Sequence, residues 1–338
     1  MSGSSSTSGP KQEVPPLGKY LASTEKKTRD KAIKSLATFL SDDSQKAMSP
    51  SERAKLWKGL FYCFWMSDKP LVQQDLSSEL ANLVLVIPSL ESAVGFVHGF
   101  WEAMVREWAG IDRYRRFVNA TFRLLLKHDW NNEACDAING ILQGSGGPLC
   151  PDDKTVPASL SYHLADIYLE ELDKALDTSD KDGKTPLITL LNPFIHLASR
   201  TSNKITYGRM QTTLFTPLLD TLIAHTKTPG TDAVDSQQRK RKRSSEMYSN
   251  LVESQRKRKR SSEMYSNLVE SVCKPEIQAE DTTPATSPYD VAREVLKAIF
   301  EVAGQADTKD ANRRKMYALW KGRMEEIEGA PEEDEVNR

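Results

Sequence analysis

The stretch Leu56–Met66, LWKGLFYCFWM, decides the fold class of this 338-residue chain. Trp57, Leu60, Phe61 and Phe64 recur at i, i+3, i+4 and i+7, the spacing that gathers side chains onto one face of an α-helix. The other positions are largely apolar too, so this helix is expected to be enclosed by neighbours on several faces. Working outward, Ile33, Leu36, Ala37 and Leu40 show the same period upstream. Downstream it continues through Leu76, Leu80, Leu83 and Ile87, then Val97, Trp101, Met104 and Trp108, then Tyr114, Val118, Phe122 and Leu125. No stretch alternates in the strand manner, so the chain is all-α. Helices of this length joined by short turns predict stacked antiparallel hairpins, a HEAT/armadillo-like solenoid. An irregular helical bundle is the alternative, because the helices share no residue-level repeat.

The punctuation agrees with the stripes. Ser49-Pro50-Ser51-Glu52 has the form of a capping box with proline at the first helical position. Asp68 and Pro70 mark the next start, Pro88 closes that helix, and Ser89 caps the one after it. Further starts are expected near Pro157, Thr185-Pro186 and Ser287-Pro288, with kinks or restarts at Pro193 and Pro217.

The chain thus divides into a disordered tail (1–16), a helical domain (17–225), a basic linker (226–287), two C-terminal helices that dock back on the helical domain (288–328) and an acidic tail (329–338). The linker is rich in Thr, Ser, Gln, Pro and charge, and too poor in apolar periodicity to offset chain entropy by burial. It holds a tandem duplication: QRKRKRSSEMYSNLVES at Gln238–Ser254 recurs letter for letter at Gln255–Ser271. A disordered segment tolerates such a duplication; a packed core does not.

Several function classes are excluded by pattern. The apolar runs, such as Leu83–Ile87, fall far short of the ~18 residues a membrane span needs. The start MSGSSSTSGPKQ has no apolar core and is not expected to act as a secretory signal. Cys63, Cys135, Cys150 and Cys273 lack C-x-x-C spacing, which argues for reduced thiols rather than a disulfide framework or a zinc site. Gly183-Lys184-Thr185 ends like a phosphate-binding loop, but the required first glycine position is Thr178 and no strand precedes it. The five histidines have no metal-binding spacing. Glu170-Glu171 reads as a solvated helix face rather than a catalytic dyad. No enzymatic activity, cofactor, metal or small-molecule substrate is therefore expected.

Charge is more informative. The chain carries a net charge of −1, yet Arg239–Arg260 holds ten basic and two acidic residues. The two clusters, Arg239, Lys240, Arg241, Lys242 and Arg243, and Arg256, Lys257, Arg258, Lys259 and Arg260, suit a nuclear localisation signal read by an import receptor. Within the helical part, Lys27, Lys31 and Lys34 fall on one flank of the helix, away from the Ile33–Leu40 stripe. Arg113, Arg115 and Arg116 make a second cationic group, and Arg313, Arg314 and Lys315 a third. Such groups suit RNA phosphates, whose contacts add affinity and salt dependence without sequence choice. Asp68, Lys69 and Pro70 at one inter-helix turn, and Asp112 with Arg113 at another, are candidate partner contacts. The Trp and Phe residues follow helix stripes and are expected in the core.

Four segments carry a family resemblance: LASTEKKTRDKAIKSL (Leu21–Leu36), LWKGLFYCFWMSDKPLVQQDL (Leu56–Leu76), FWEAMVREWAGIDRYRRF (Phe100–Phe117) and HLADIYLEEL (His163–Leu172). Over roughly Leu17–His225 the chain resembles the nucleolar ribosomal RNA-processing protein 1 (Nop52) family. The resemblance implies a non-catalytic, nuclear and nucleolar assembly factor of the large ribosomal subunit. Such a factor scaffolds pre-ribosomal particles, is needed for processing of the large-subunit rRNA precursor, and has assembly factors and pre-rRNA as partners. The duplicated basic insert is no part of that family core. A nuclear, protein-only helical-repeat adaptor, whose basic segment serves import, is the alternative.

Overall fold

The computed structural model describes residues 17–42, 48–67, 69–107, 115–177, 183–225, 264–275 and 285–329. These residues form helices and connecting turns, with no strand among them. The all-α expectation and its solenoid-like succession of helices hold. The chain divides into two compact units, with the boundary between Ala103 and Met104.

The first unit contains α1 (Leu17–Leu21), α2 (Lys26–Leu40), α3 (Pro50–Trp65), α4 (Pro70–Val86) and most of α5 (Leu90–Glu107). The start of α3 is set by the expected capping box. Glu52 N–H donates to Ser49 Oγ (3.3 Å) and Ser49 N–H to Glu52 Oε2 (3.0 Å), so two orphan amides are satisfied reciprocally. The Ser49 hydroxyl also donates to Glu52 Oε2 (2.7 Å), and this bond, with that from the Ser49 N–H, holds the Glu52 carboxyl below the ordinary carboxylate range. Ser89 Oγ likewise accepts from Ser92 N–H at the head of α5. Helix α3 touches its neighbours through two close approaches. A Cβ at Gly59 would sit 2.9 Å from Gly18 Cα, so the α1–α3 crossing needs glycine there. At Gly99 a Cβ would come within 2.3 Å of the Trp57 ring. Trp57 lies against Phe96 (4.7 Å between ring centroids) and donates its indole N–H to Phe96 C=O (3.1 Å).

One face of α3 departs from expectation. Leu56, Trp57, Leu60 and Cys63 are buried, but Tyr62, Trp65 and Met66 are exposed. The helix is covered on one side and open on the other, so not every aromatic of this block belongs to the core.

The second unit begins within α5 and continues through α6 (Arg115–Lys127), α7 (Asn132–Gln143), α8 (Ala158–Asp177), α9 (Leu187–Arg200), α10 (Lys204–Met210) and α11 (Thr216–His225). Its centre is Tyr168 on α8, set between Phe122 (4.9 Å) and Phe194 (4.6 Å) in edge-to-face contacts. The Tyr168 hydroxyl donates to Leu190 C=O (2.9 Å), and full burial pushes the phenol far above its ordinary range, so it stays a neutral donor. Burial also lifts the thiols of Cys63 and Cys135 to about 11, which keeps both protonated and inert. Pro193 is accommodated inside α9. Before Pro217 the chain makes one wide π turn, Gln211–Phe215, and α11 restarts at Thr216; the ring that cannot continue a regular ladder is placed where the ladder is already interrupted.

Three more helices complete this unit: α12 (Ser266–Cys273), α13 (Pro288–Ala303) and α14 (Asp310–Glu328). Helices α13 and α14 pack on α9 and on each other. Asn312 Nδ2 donates to Ser199 C=O (3.2 Å) and Thr201 C=O (2.7 Å), closing the end of α9, while Lys309 N–H donates to Ser199 C=O.

Helix α12 lies inside the segment expected to lack packed structure, and belongs to the second copy of the duplication. Leu268, Val269 and Val272 are buried against the unit. Asp173 of α8 accepts Leu268 N–H (2.9 Å) and Asn267 Nδ2 (3.3 Å), so an aspartate from another helix satisfies an orphan amide of α12. Thr185 Oγ1 and Ser271 Oγ are 2.6 Å apart, and Lys184 Nζ donates to Thr286 Oγ1 (3.1 Å). The Gly183-Lys184-Thr185 loop is thus a clamp for the later chain. Packing here supplies what composition does not show: three apolar side chains find burial against α8 and its neighbours. The last of them, Val272, lies one residue past the repeat, where the first copy is followed by Gln255.

Candidate nucleic-acid and partner interface

The cationic residues separate into those engaged within the fold and those displayed. Lys27, Lys31 and Lys34 lie along α2 at i, i+4 and i+7, all exposed, while Ala32, Ile33, Leu36 and Leu40 of the same helix are buried. Neighbouring Lys26 is paired with Asp30 (2.8 Å), but none of the three flank lysines forms an ion pair with another described residue. Arg29 is buried and donates to Ser23 C=O and Thr24 C=O (3.0 Å each), holding the chain where it enters α2. The α2 flank is therefore a row of three positive charges about 6 and 4.5 Å apart along the helix axis.

Arg115 and Arg116 differ. Arg115 makes a two-pronged contact with Glu170, Nη1–Oε1 at 3.1 Å and Nη2–Oε2 at 2.7 Å, and approaches Glu171 at 3.7 Å. Lys174 reaches both carboxylates, at 2.7 and 3.1 Å. Glu171 is buried, so the acid pair is not a solvated face: both carboxylates converge on Arg115 and Lys174 and tie α6 to α8. Burial alone would raise the Glu170 carboxyl, but hydrogen bonds from Lys174 and Arg115 outweigh it and hold it below its ordinary value. For Lys174, burial lowers and the two carboxylates raise, with the raising effect prevailing. Arg115 is thereby neutralised in place, while Arg116 is exposed beside it.

The third group divides in the same way. Arg313 donates to Ala303, Gln305 and Thr308 C=O, at 3.0, 3.0 and 3.2 Å, and so closes the C-terminal end of α13. Lys315 sits over the Tyr207 ring at 4.7 Å, and Arg314 is exposed.

At the turn between α3 and α4, Lys69 is exposed and Pro70 opens α4. Asp68, Asp112 and Arg113 lie outside the described residues, as do both basic clusters, Arg239–Arg243 and Arg256–Arg260. The α3 face formed by Lys55, Lys58, Tyr62 and Trp65 is a surface that the sequence reading does not select. Its signal was present: Tyr62 and Trp65 fall off the Trp57–Phe64 stripe and on the same side as the two lysines.

Among the described residues, no group of three His, Cys, Asp or Glu side chains is placed to hold a metal ion. No helix among them is long and apolar enough to cross a membrane.

Fold and site together define an all-α protein whose chemistry is displayed on helix faces. The chain belongs to the Nop52 family, described as "Nucleolar protein, Nop52", which matches residues 12–320. Among curated proteins it is similar to mouse ribosomal RNA processing protein 1 homolog A, 30% identical over 219 residues, covering 60% of this chain and 43% of the relative. Human ribosomal RNA processing protein 1 homolog B is 32% identical over 216 residues, 59% of this chain and 27% of the relative. Human homolog A is 26% identical over 353 residues, 96% of this chain and 74% of the relative. The chain spans less than half the length of the first two of these relatives.

Proposed function

We propose that this protein is a non-catalytic nucleolar assembly factor of the large ribosomal subunit, a scaffold that takes part in processing of the large-subunit rRNA precursor. The single observation that carries the reading is the match to the Nop52 family over residues 12–320, with relatives named for ribosomal RNA processing. The displayed charge fits it. In the first unit the Lys27, Lys31 and Lys34 row offers phosphate-binding positions on a packed helix, with Lys69 at a turn as a further contact, and Arg116 is displayed separately on the second unit. Cations placed on rigid elements neutralise phosphates without a backbone ordering cost. The basic clusters at Arg239–Arg243 and Arg256–Arg260 serve nuclear entry through an import receptor.

Affinity purification at low salt, reading co-purifying proteins and rRNA precursors together, tests the assignment. Large-subunit precursors with assembly factors should dominate, and a Lys27→Glu, Lys31→Glu, Lys34→Glu variant should lose most of the precursor while keeping its helical spectrum. Recovery of unrelated complexes would refute the assignment. Crosslinks to RNA confined to Arg239–Arg260 would favour the nuclear adaptor instead.

A further inference from the structure

Lys55, Lys58, Tyr62 and Trp65 lie within about 80° of one another around α3, at 100° per residue. All four are exposed, Trp65 by 58%, and Met66, Lys69 and Leu71, at and after the turn into α4, are exposed as well. A tryptophan this open needs an explanation, because burying an indole is among the most favourable steps available to a folding chain. The two exposed rings are also held in place. Trp65 lies near-parallel to Phe61 (6.2 Å between centroids, 28°), and Tyr62 meets the same ring edge-on (5.9 Å, 72°). Phe61 thus buttresses both from one side while their outer surfaces face water. Lys55, Lys58 and Lys69 form no ion pair with another described residue.

We propose that this face of α3 binds single-stranded RNA, with bases stacked on Trp65 and Tyr62 and backbone phosphates lying along Lys55, Lys58 and Lys69. Braced rings interleaved with cations outside any ion pair are the arrangement single strands use: every base has a stackable surface, and each phosphate needs a counter-charge. A duplex keeps its bases stacked inside and cannot offer them to these rings. An apolar protein segment would anchor on Met66 and Leu71, but would leave three lysines without a polyanion. This surface lies on a different helix from the Lys27–Lys34 row, and the inference concerns base contact, which the functional assignment above does not include.

The test uses the full-length protein, a labelled 12-nucleotide oligouridylate and an abasic 12-mer with the same phosphates, with binding followed by fluorescence anisotropy. Basic clusters treat the two ligands alike; a stacking platform does not. The oligouridylate should bind about tenfold or more tightly than the abasic strand. Tyr62→Ala with Trp65→Ala should erase that preference, whereas Trp65→Phe should keep most of it. Lys55→Ala with Lys58→Ala should weaken both ligands and flatten the salt dependence. Ultraviolet crosslinks from the oligouridylate should map to the peptide containing Tyr62 and Trp65. Equal binding of both strands by the unaltered protein, a preference that survives the double aromatic variant, tighter binding of duplex RNA, or crosslinks confined to other peptides would overturn the proposal. Loss of precursor RNA on purification is a separate readout and bears on the assembly-factor assignment alone.

Discussion

Replacing Leu268 with alanine tests whether α12 is held on the second unit by its own small apolar contact. Leu268 is 0% exposed, Val269 5% and Val272 1%, and further ties include the Asp173 cap, the Thr185–Ser271 hydroxyl pair and the Thr286 N–H that donates to Cys273 C=O (3.1 Å). A buried leucine truncated to alanine costs about 2–5 kcal/mol. The lower half applies here, because an eight-residue helix can leave its groove without unfolding the unit, so undocking limits the loss. A cost of about 2–3 kcal/mol raises the undocked fraction roughly 30- to 150-fold. Cys273, in the last turn of α12, reports the event directly: it is partly buried, and burial raises its thiol above the ordinary value. Peptide-resolved thiol labelling in native buffer should therefore show Cys273 modified faster in the variant, by up to about 30- to 150-fold, with Cys63 and Cys135 unchanged. An unaltered Cys273 rate would refute the packing argument. So would a parallel rise at all three thiols, which would mean that α12 and the core unfold together.

Two further outcomes follow from other parts of the structure. Gly99→Ala places a methyl about where the Trp57 ring already sits, so we expect a loss of about 1–3 kcal/mol, read as a lower chemical-denaturation midpoint of the first unit. His196 is pushed below its ordinary value, first by burial and then by the Arg200 charge, so the folded state disfavours its protonation. Its contribution to stability is complete above the unfolded value near 6.5 and declines as pH falls through the window below it. Thermal melts between pH 7.5 and 5.5 should therefore slope downward toward acid, and His196→Gln should flatten that slope; an equal slope in the variant would exclude His196 as its source.

Helix positions were legible in the sequence because their signals are local. The Ser49–Glu52 box, the Ser287-Pro288 start and the i, i+3, i+4 stripes each span less than two turns, and the structure places α3 and α13 accordingly. Exposure of Lys27, Lys31 and Lys34 could be read for the same reason: their angular offset from Ile33 and Leu36 is set by helical geometry. Arg115 could not be read this way. Its neutralisation depends on Glu170 and Glu171, more than fifty residues away, and a list of charges does not show which are already paired.

The sequence by itself determined the helical class, the helix starts and the charged flank of α2, since backbone periodicity and capping depend on residues a few positions apart. Only the tertiary structure decided which side of the aromatic-rich α3 is covered and which is left open with Tyr62 and Trp65. It alone decided that the second copy of a duplicated polar segment carries a docked helix. Those outcomes depend on what lies opposite: Gly18 and Phe96 for α3, Asp173 and Thr185 for α12. Burial is a property of pairs of surfaces, and one strand of sequence describes only one surface of each pair.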